Sequence, residues 1–186
     1  MTVYAGSSVD YLSAAETATM VRLALRDAFP ATRFTVRSKT YAGGASINVG
    51  WTDGPANDAV DAVVGPFAGA DFDGMIDLKV SVRALVTPDG RIVGHDSSGT
   101  EGSRGSIPAV HDDVPGARLV HFGADYVFTN REISPDADKA IDAIVAFRFG
   151  ADPYYGAKWR ITRTLDLPVD VDRYIANSRD FDLLVG

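Results

Sequence analysis

The stretch Arg33-Phe34-Thr35-Val36-Arg37-Ser38-Lys39-Thr40-Tyr41-Ala42-Gly43-Gly44-Ala45-Ser46-Ile47-Asn48-Val49-Gly50-Trp51 reads as two strands folded back on one another. In the first, Phe34 and Val36 point one way while Arg33, Thr35, Arg37 and Lys39 point the other. That period of two marks a strand with one wet, basic face. Adjacent glycines tolerate positive φ, so Tyr41-Ala42-Gly43-Gly44 supplies the turn. The second strand, residues 45–51, sends Ile47, Val49 and Trp51 inward. Thr52-Asp53-Gly54-Pro55 stops it.

Helical patterns flank this hairpin. Ser13-Ala14-Ala15-Glu16 is a capping box, in which the Ser hydroxyl accepts from the Glu16 N–H and the carboxylate reaches back. The helix it opens carries Thr17, Val21, Ala24, Leu25 and Ala28 on one face and ends at Pro30. A second helix is expected over residues 56–67, with Ala56, Ala59, Val60, Val63, Val64 and Phe67 as its buried stripe. Residues 72–76 read as a connection. Residues 78–87 alternate as a strand, and Pro88-Asp89-Gly90 turns it back into residues 91–93.

Periodicity dissolves over residues 94–118, which hold five glycines and two prolines. A structureless stretch of that length inside a domain points to a functional loop. Strands return at residues 118–122 and 124–130. Ser134-Pro135-Asp136-Ala137 opens a third helix, with Ser as cap, Pro in the first turn and Asp at the positive end. The tail after Ala151 is mixed; residues 158–165 pattern as a strand and residues 169–176 as a short helix. The order is α-β-β-α-β-β, a long loop, β-β-α and a variable tail. It predicts one α+β domain, an antiparallel sheet with helices packed mainly on one face.

The chain has 186 residues, 46% of them hydrophobic, enough to build one core. It has no cysteine, which excludes disulfides and thiolate metal sites. Met1 to Asp10 lack a basic cluster followed by an apolar run, and no stretch approaches a membrane span, so a cytoplasmic location is the expectation. The formal charge is -7, unevenly placed. Six carboxylates (Asp53, Asp58, Asp61, Asp71, Asp73, Asp77) fall in residues 51–78 without a base, whereas residues 1–50 carry five bases against three acids.

Several motifs resemble a known family. Glu16-Thr17-Ala18-Thr19-Met20-Val21-Arg22-Leu23-Ala24-Leu25-Arg26-Asp27-Ala28-Phe29-Pro30, Phe34-Thr35-Val36-Arg37-Ser38, Tyr41-Ala42-Gly43-Gly44-Ala45-Ser46-Ile47, Trp51-Thr52-Asp53-Gly54-Pro55, Asp71-Phe72-Asp73-Gly74-Met75-Ile76-Asp77 and Tyr126-Val127-Phe128-Thr129-Asn130-Arg131-Glu132 are similar to the large polyvalent protein-associated domains of phages and conjugative elements. The resemblance spans about residues 12–150. It implies a protein that accompanies an invading element and assists it inside the host. The family has no agreed activity or catalytic residues, so the resemblance carries none over.

Residue chemistry offers few sites. His95, His111 and His121 are the only histidines, and none has the spacing of a helix-borne metal pair. Asp71, Asp73 and Asp77 around Gly74 lack the alternating ligands and distal Glu of a calcium loop. Gly43-Gly44 with Ser46 has no following helix to cradle a phosphate. Ser97, Ser98, Ser103 and Ser106 lack a G-x-S-x-G frame. No cofactor motif is present.

The resemblance, joined to the uneven charge, implies a non-enzymatic, protein-binding accessory factor of a phage or plasmid. Its acidic surface (Asp53, Asp58, Asp61, Asp71, Asp73, Asp77) would occupy a basic surface on a host defence complex, such as CRISPR or restriction machinery. The first alternative is a nucleic-acid-binding module using Arg33, Arg37 and Lys39, with Tyr41 for stacking. The second is a metal-dependent hydrolase built on the histidines. A homodimer stays open.

Overall fold

In the computed structural model, residues 9–74, 77–97, 114–151, 153–154 and 156–185 are described. A two-residue strand β1 (Asp10–Tyr11) leads into helix α1 (Ala14–Ala28). The capping box is formed: Glu16 N donates to Ser13 Oγ at 3.2 Å and Ser13 N donates to Glu16 Oε2 at 2.8 Å. The hairpin follows as β2 (Thr35–Tyr41) and β3 (Gly44–Thr52), paired antiparallel around Gly43 at φ 86°. Ile47, Val49 and Trp51 are buried, as the alternation requires.

Helix α2 (Asn57–Val64) is shorter than the apolar stripe predicts, because Gly65-Pro66-Phe67 tightens into a 3-10 turn. The expected connection at residues 72–76 instead begins as strand β4 (Ala70–Asp73), antiparallel to β5 (Leu78–Val86). Strand β6 (Ile92–Ser97) completes the second hairpin and reaches into the expected loop, of which residues 98–113 lie outside the described set. Strands β7 (Arg118–His121) and β8 (Tyr126–Glu132) precede helix α3 (Pro135–Phe149), whose cap Ser134 accepts from Ala137 N at 3.3 Å.

The α+β class holds, but the strands divide between two sheets, and each sheet contains a parallel pairing. One sheet runs β2-β3-β8, with β3 and β8 parallel. The other runs β1-β7-β5-β4, with β6 on β5 and with β1 parallel to β7. The parallel pairs arise because each joins strands separated by long crossovers rather than by a tight turn.

Residues 158–165 correct the expectation of a strand: residues 158–164 lie in helix α4 (Ala157–Thr164) and Leu165 is its C-cap. Lys158, Trp159, Arg160 and Ile161 alternate in polarity, yet Ala157 and Ile161, four apart, are the positions that bury, so the helical period wins. Helix α5 (Val171–Val185) follows.

Two apolar clusters result. In the larger, Ala18, Val21 and Leu25 of α1 and Val60 and Val64 of α2 meet Val36, Ile47, Val49 and Trp51 of the β2-β3-β8 sheet. The smaller joins Ile141, Ile144 and Val145 of α3 to Ala157 and Ile161 of α4. The helices therefore cover one face of the three-stranded sheet; its other face is open along Arg37, Asn48 and Phe128, while Ser46 in the neighbouring row is buried.

Candidate functional site

That open face is set by strand register. Side chains directly opposite one another share a face. The rows are Lys39–Ser46–Tyr126, Arg37–Asn48–Phe128 and Thr35–Gly50–Asn130. Residues one step away, such as Val36, Val49 and Val127, enter the core. Two cations on β2 thus stand across one intervening strand, about 10 Å, from two aromatics on β8.

Of these aromatics Phe128 is displayed, while Tyr126 is half-buried. Phe128 is 54% exposed and its ring lies 6.0 Å from that of Tyr126. Tyr41, 43% exposed, lies against Gly44 at the turn end. With about half of its ring exposed, Phe128 forgoes roughly 1 kcal/mol of burial. Arg33, Arg37 and Lys39 are exposed, and their side chains make no hydrogen bond or ion pair among the described residues. The turn end carries one acid, Asp125, whose carboxylate lies over Gly44 and is held by Lys79 at 3.1 Å.

At its other end the face runs into a cleft of about 810 Å³. Arg33, Gly50, Asn130 and Glu132 line it from the sheet side, and Leu167 and Pro168 from the chain after α4. Gly50 keeps its floor open, because a Cβ there would stand 2.8 Å from Thr35 Oγ1.

The acidic residues have other partners. Arg163 of α4 binds Asp58 at 2.5 Å and Asp61 at 2.6 Å, and these bonds raise the guanidinium pKa above its ordinary value, Asp61 contributing most. Asp61 also accepts from Thr129 Oγ1 at 2.5 Å. Asp53 sits at φ 52°, where its Oδ1 accepts from Ser134 N, the cap of α3, at 2.9 Å. Asp71 accepts from its neighbour Phe72 N at 2.8 Å, and Asp77 is exposed at φ 54°. Asp73 ends β4 opposite Leu78. Three of the six aspartates therefore lie where α2, β3, α3 and α4 meet, while Asp71, Asp73 and Asp77 belong to the β4–β5 hairpin.

The histidines are separated. His95 on β6 and His121 on β7 flank opposite edges of β5. His95 Nε2 lies 3.0 Å from Pro66 O and His121 Nδ1 lies 3.1 Å from Val82 O, so backbone carbonyls engage one nitrogen of each. His111 lies outside the described residues. Among the described residues no group of three or more His, Cys, Asp or Glu could hold a metal ion, and no helix is long and apolar enough to cross a membrane.

Sequence reasoning missed Tyr126, Phe128 and Asn48 as companions of Arg37 and Lys39. The alternation of Tyr126 and Phe128 is visible in the sequence, but their placement on the same face as the basic residues of β2 depends on the parallel β3–β8 register. Arg131 was also missed. Its guanidinium donates to Asp53 O at 2.8 Å, Gly54 O at 2.7 Å, Thr162 O at 2.8 Å and Leu165 O at 2.9 Å. Burial lowers its pKa from the ordinary arginine value, with Asp166 and Asp53 opposing.

The model of the large polyvalent protein associated domain 29 family matches residues 12–134. No curated protein and no solved structure matches the chain. The chain belongs to the large polyvalent protein associated domain 29 family. Its match spans the open sheet face and stops before α3.

Proposed function

We propose that this protein is a single-stranded nucleic-acid-binding accessory factor of a phage or related mobile element, and that the open face of the β2-β3-β8 sheet is its binding surface. The observation that carries this is the coexistence of exposed Phe128 and half-buried Tyr126 with Arg37 and Lys39, which have no partner among the described residues, on one face. Bases stack on exposed rings without regard to sequence, and cations track the phosphates. A flat sheet suits unpaired bases whose faces lie open, whereas a duplex buries those faces in its own stack. Family membership supports the mobile-element setting. The net charge of -7 limits non-specific affinity for duplex and leaves binding dependent on the aromatic rows.

Fluorescence anisotropy with labelled DNA and RNA of about 12 nucleotides, single- and double-stranded, tests this at about 50 mM salt. Single strands bind in preference to duplex. Phe128→Ala weakens binding roughly 5- to 150-fold, the range for loss of one stacked base, and leaves the circular dichroism unchanged. No binding of any single strand, or an unaltered affinity for Phe128→Ala, overturns the proposal.

A second reading keeps the acidic surface and a protein partner from a host defence complex. Phe72 and Leu78, 51% and 50% exposed, adjoin Asp71, Asp73 and Asp77 on the β4–β5 hairpin and favour it. An acid-rimmed apolar edge of that kind suits a basic protein surface. A nuclease-treated pull-down from host lysate with the parent and with Asp71→Asn/Asp73→Asn/Asp77→Asn separates the two. A partner retained by the parent and lost by the variant supports this reading; capture that nuclease abolishes supports the first.

A further inference from the structure

We infer that the cleft at the Gly50 end of the sheet is a base-reading pocket selective for guanine. The inference rests on the single-strand reading of the open face and deepens it. The cleft continues the row Thr35–Gly50–Asn130, so a strand lying along Tyr126 and Phe128 delivers its next base there. Its volume of about 810 Å³ exceeds what one base needs. The missing side chain at Gly50 is what leaves room. Pro168 supplies an apolar wall against which a ring can lie.

The polar lining selects among bases. Glu132, exposed at the end of β8, contributes two acceptor oxygens; its side chain makes no hydrogen bond or ion pair among the described residues. A free carboxylate is unsuited to phosphate, which it repels. It is suited to a base edge that offers two adjacent N–H donors. Guanine offers that edge in N1–H and N2–H₂, and its opposite edge offers O6 and N7 as acceptors to a guanidinium. Arg33, on the sheet side of the same cleft, and the carboxamide of Asn130 complete a donor and acceptor set of that kind. Adenine and cytosine each present one amino donor beside an acceptor, and thymine one imide donor between carbonyls, so none satisfies both carboxylate oxygens. The backbone of Glu132 is already committed, its carbonyl accepting from Asp53 N at 2.8 Å, so the residue is fixed in place whatever its side chain binds.

The test compares oligo-dT with the same strand carrying one central guanine, adenine or cytosine, and repeats the series in RNA. The parent binds the guanine strand roughly 5- to 150-fold more tightly than oligo-dT, the range for one bidentate base contact. Glu132→Gln brings the guanine-to-thymine ratio towards one; Arg33→Gln lowers it as well. The ratio is the readout, since removing a negative charge shifts affinity for every strand. Oligo-dT binding without guanine preference, a preference for another base, or a ratio untouched by Glu132→Gln overturns the pocket and leaves the sheet-face reading standing. Failure of all strands to bind overturns both. Agreement between the DNA and RNA series assigns the selectivity to the base; a difference assigns part of it to the sugar.

Discussion

Replacing Arg131 by methionine tests how much one guanidinium contributes to docking the chain beyond the family match onto the domain, beside the Arg163–Asp58/Asp61 and Asp166–Ala56 contacts. Arg131 donates to carbonyls of four residues, two on the turn after β3 and two at the end of α4. Methionine keeps most of the stem and removes every donor. At about 1 kcal/mol net per bond, four bonds contribute ~4 kcal/mol. The site is half-buried and water rehydrates some of the freed carbonyls, which brings the expected loss to about 3 kcal/mol. For a chain of this length that lowers the melting temperature by roughly 6–12 °C. Urea unfolding at pH 7 measures the difference. Hydrogen exchange locates it: amides of Ala157–Thr164 lose protection more than those of Gly44–Thr52, because the carbonyls released on the α4 side belong to the C-terminal cluster. Arg131→Lys recovers under half, since an ammonium cannot span the same fork of acceptors. A loss below about 1 kcal/mol, or equal deprotection of both segments, refutes the clamp.

Four further outcomes follow from the same contacts. Asp166 Oδ1 accepts from Ala56 N at 2.7 Å and caps α2 from a distance, so Asp166→Ala costs about 1 kcal/mol in urea unfolding. Gly123→Ala places a Cβ 2.1 Å from Leu12 O and destabilises by about 2 kcal/mol, whereas Gly90→Ala meets no atom within 4 Å and suffers only the strain of φ 86°. Glu16 is held below the ordinary carboxylate range, first by the Ser13 N–H and then by its hydroxyl, so its contribution is present above the unfolded value and is lost as pH falls through the folded one; the stability gap between the parent and Glu16→Gln narrows as pH drops below about 4. In a salt titration with oligo-dT, log K falls with a slope of about -1.4, about 0.7 for each of Arg37 and Lys39, and Arg37→Gln reduces the slope by about 0.7.

What was legible in the sequence is what short-range chemistry settles. The alternation from Phe34 to Trp51, the Gly43–Gly44 turn, the Ser13 and Ser134 caps and the breaks at Pro30 and Pro55 each depend on residues a few positions apart, and each is where it was expected. Family membership was legible too, since it is a pattern of residue types. Tertiary structure decided the rest, because an isolated pattern does not name its partner in space. Residues 158–165 fit a strand or a helix until Ala157 and Ile161 find α3 to bury against. Asp58 and Asp61 read as a free acidic surface until Arg163, more than a hundred residues away, folds back onto them. Arg37 and Lys39 read as bases with Tyr41 as their aromatic neighbour until the parallel pairing of β3 with β8 sets Phe128 and Tyr126 on the same face, one strand away. Both regroupings have one physical reason: contacts between distant segments are set by which apolar faces must be covered together, and the polar residues on the reverse of those faces are carried into place by it.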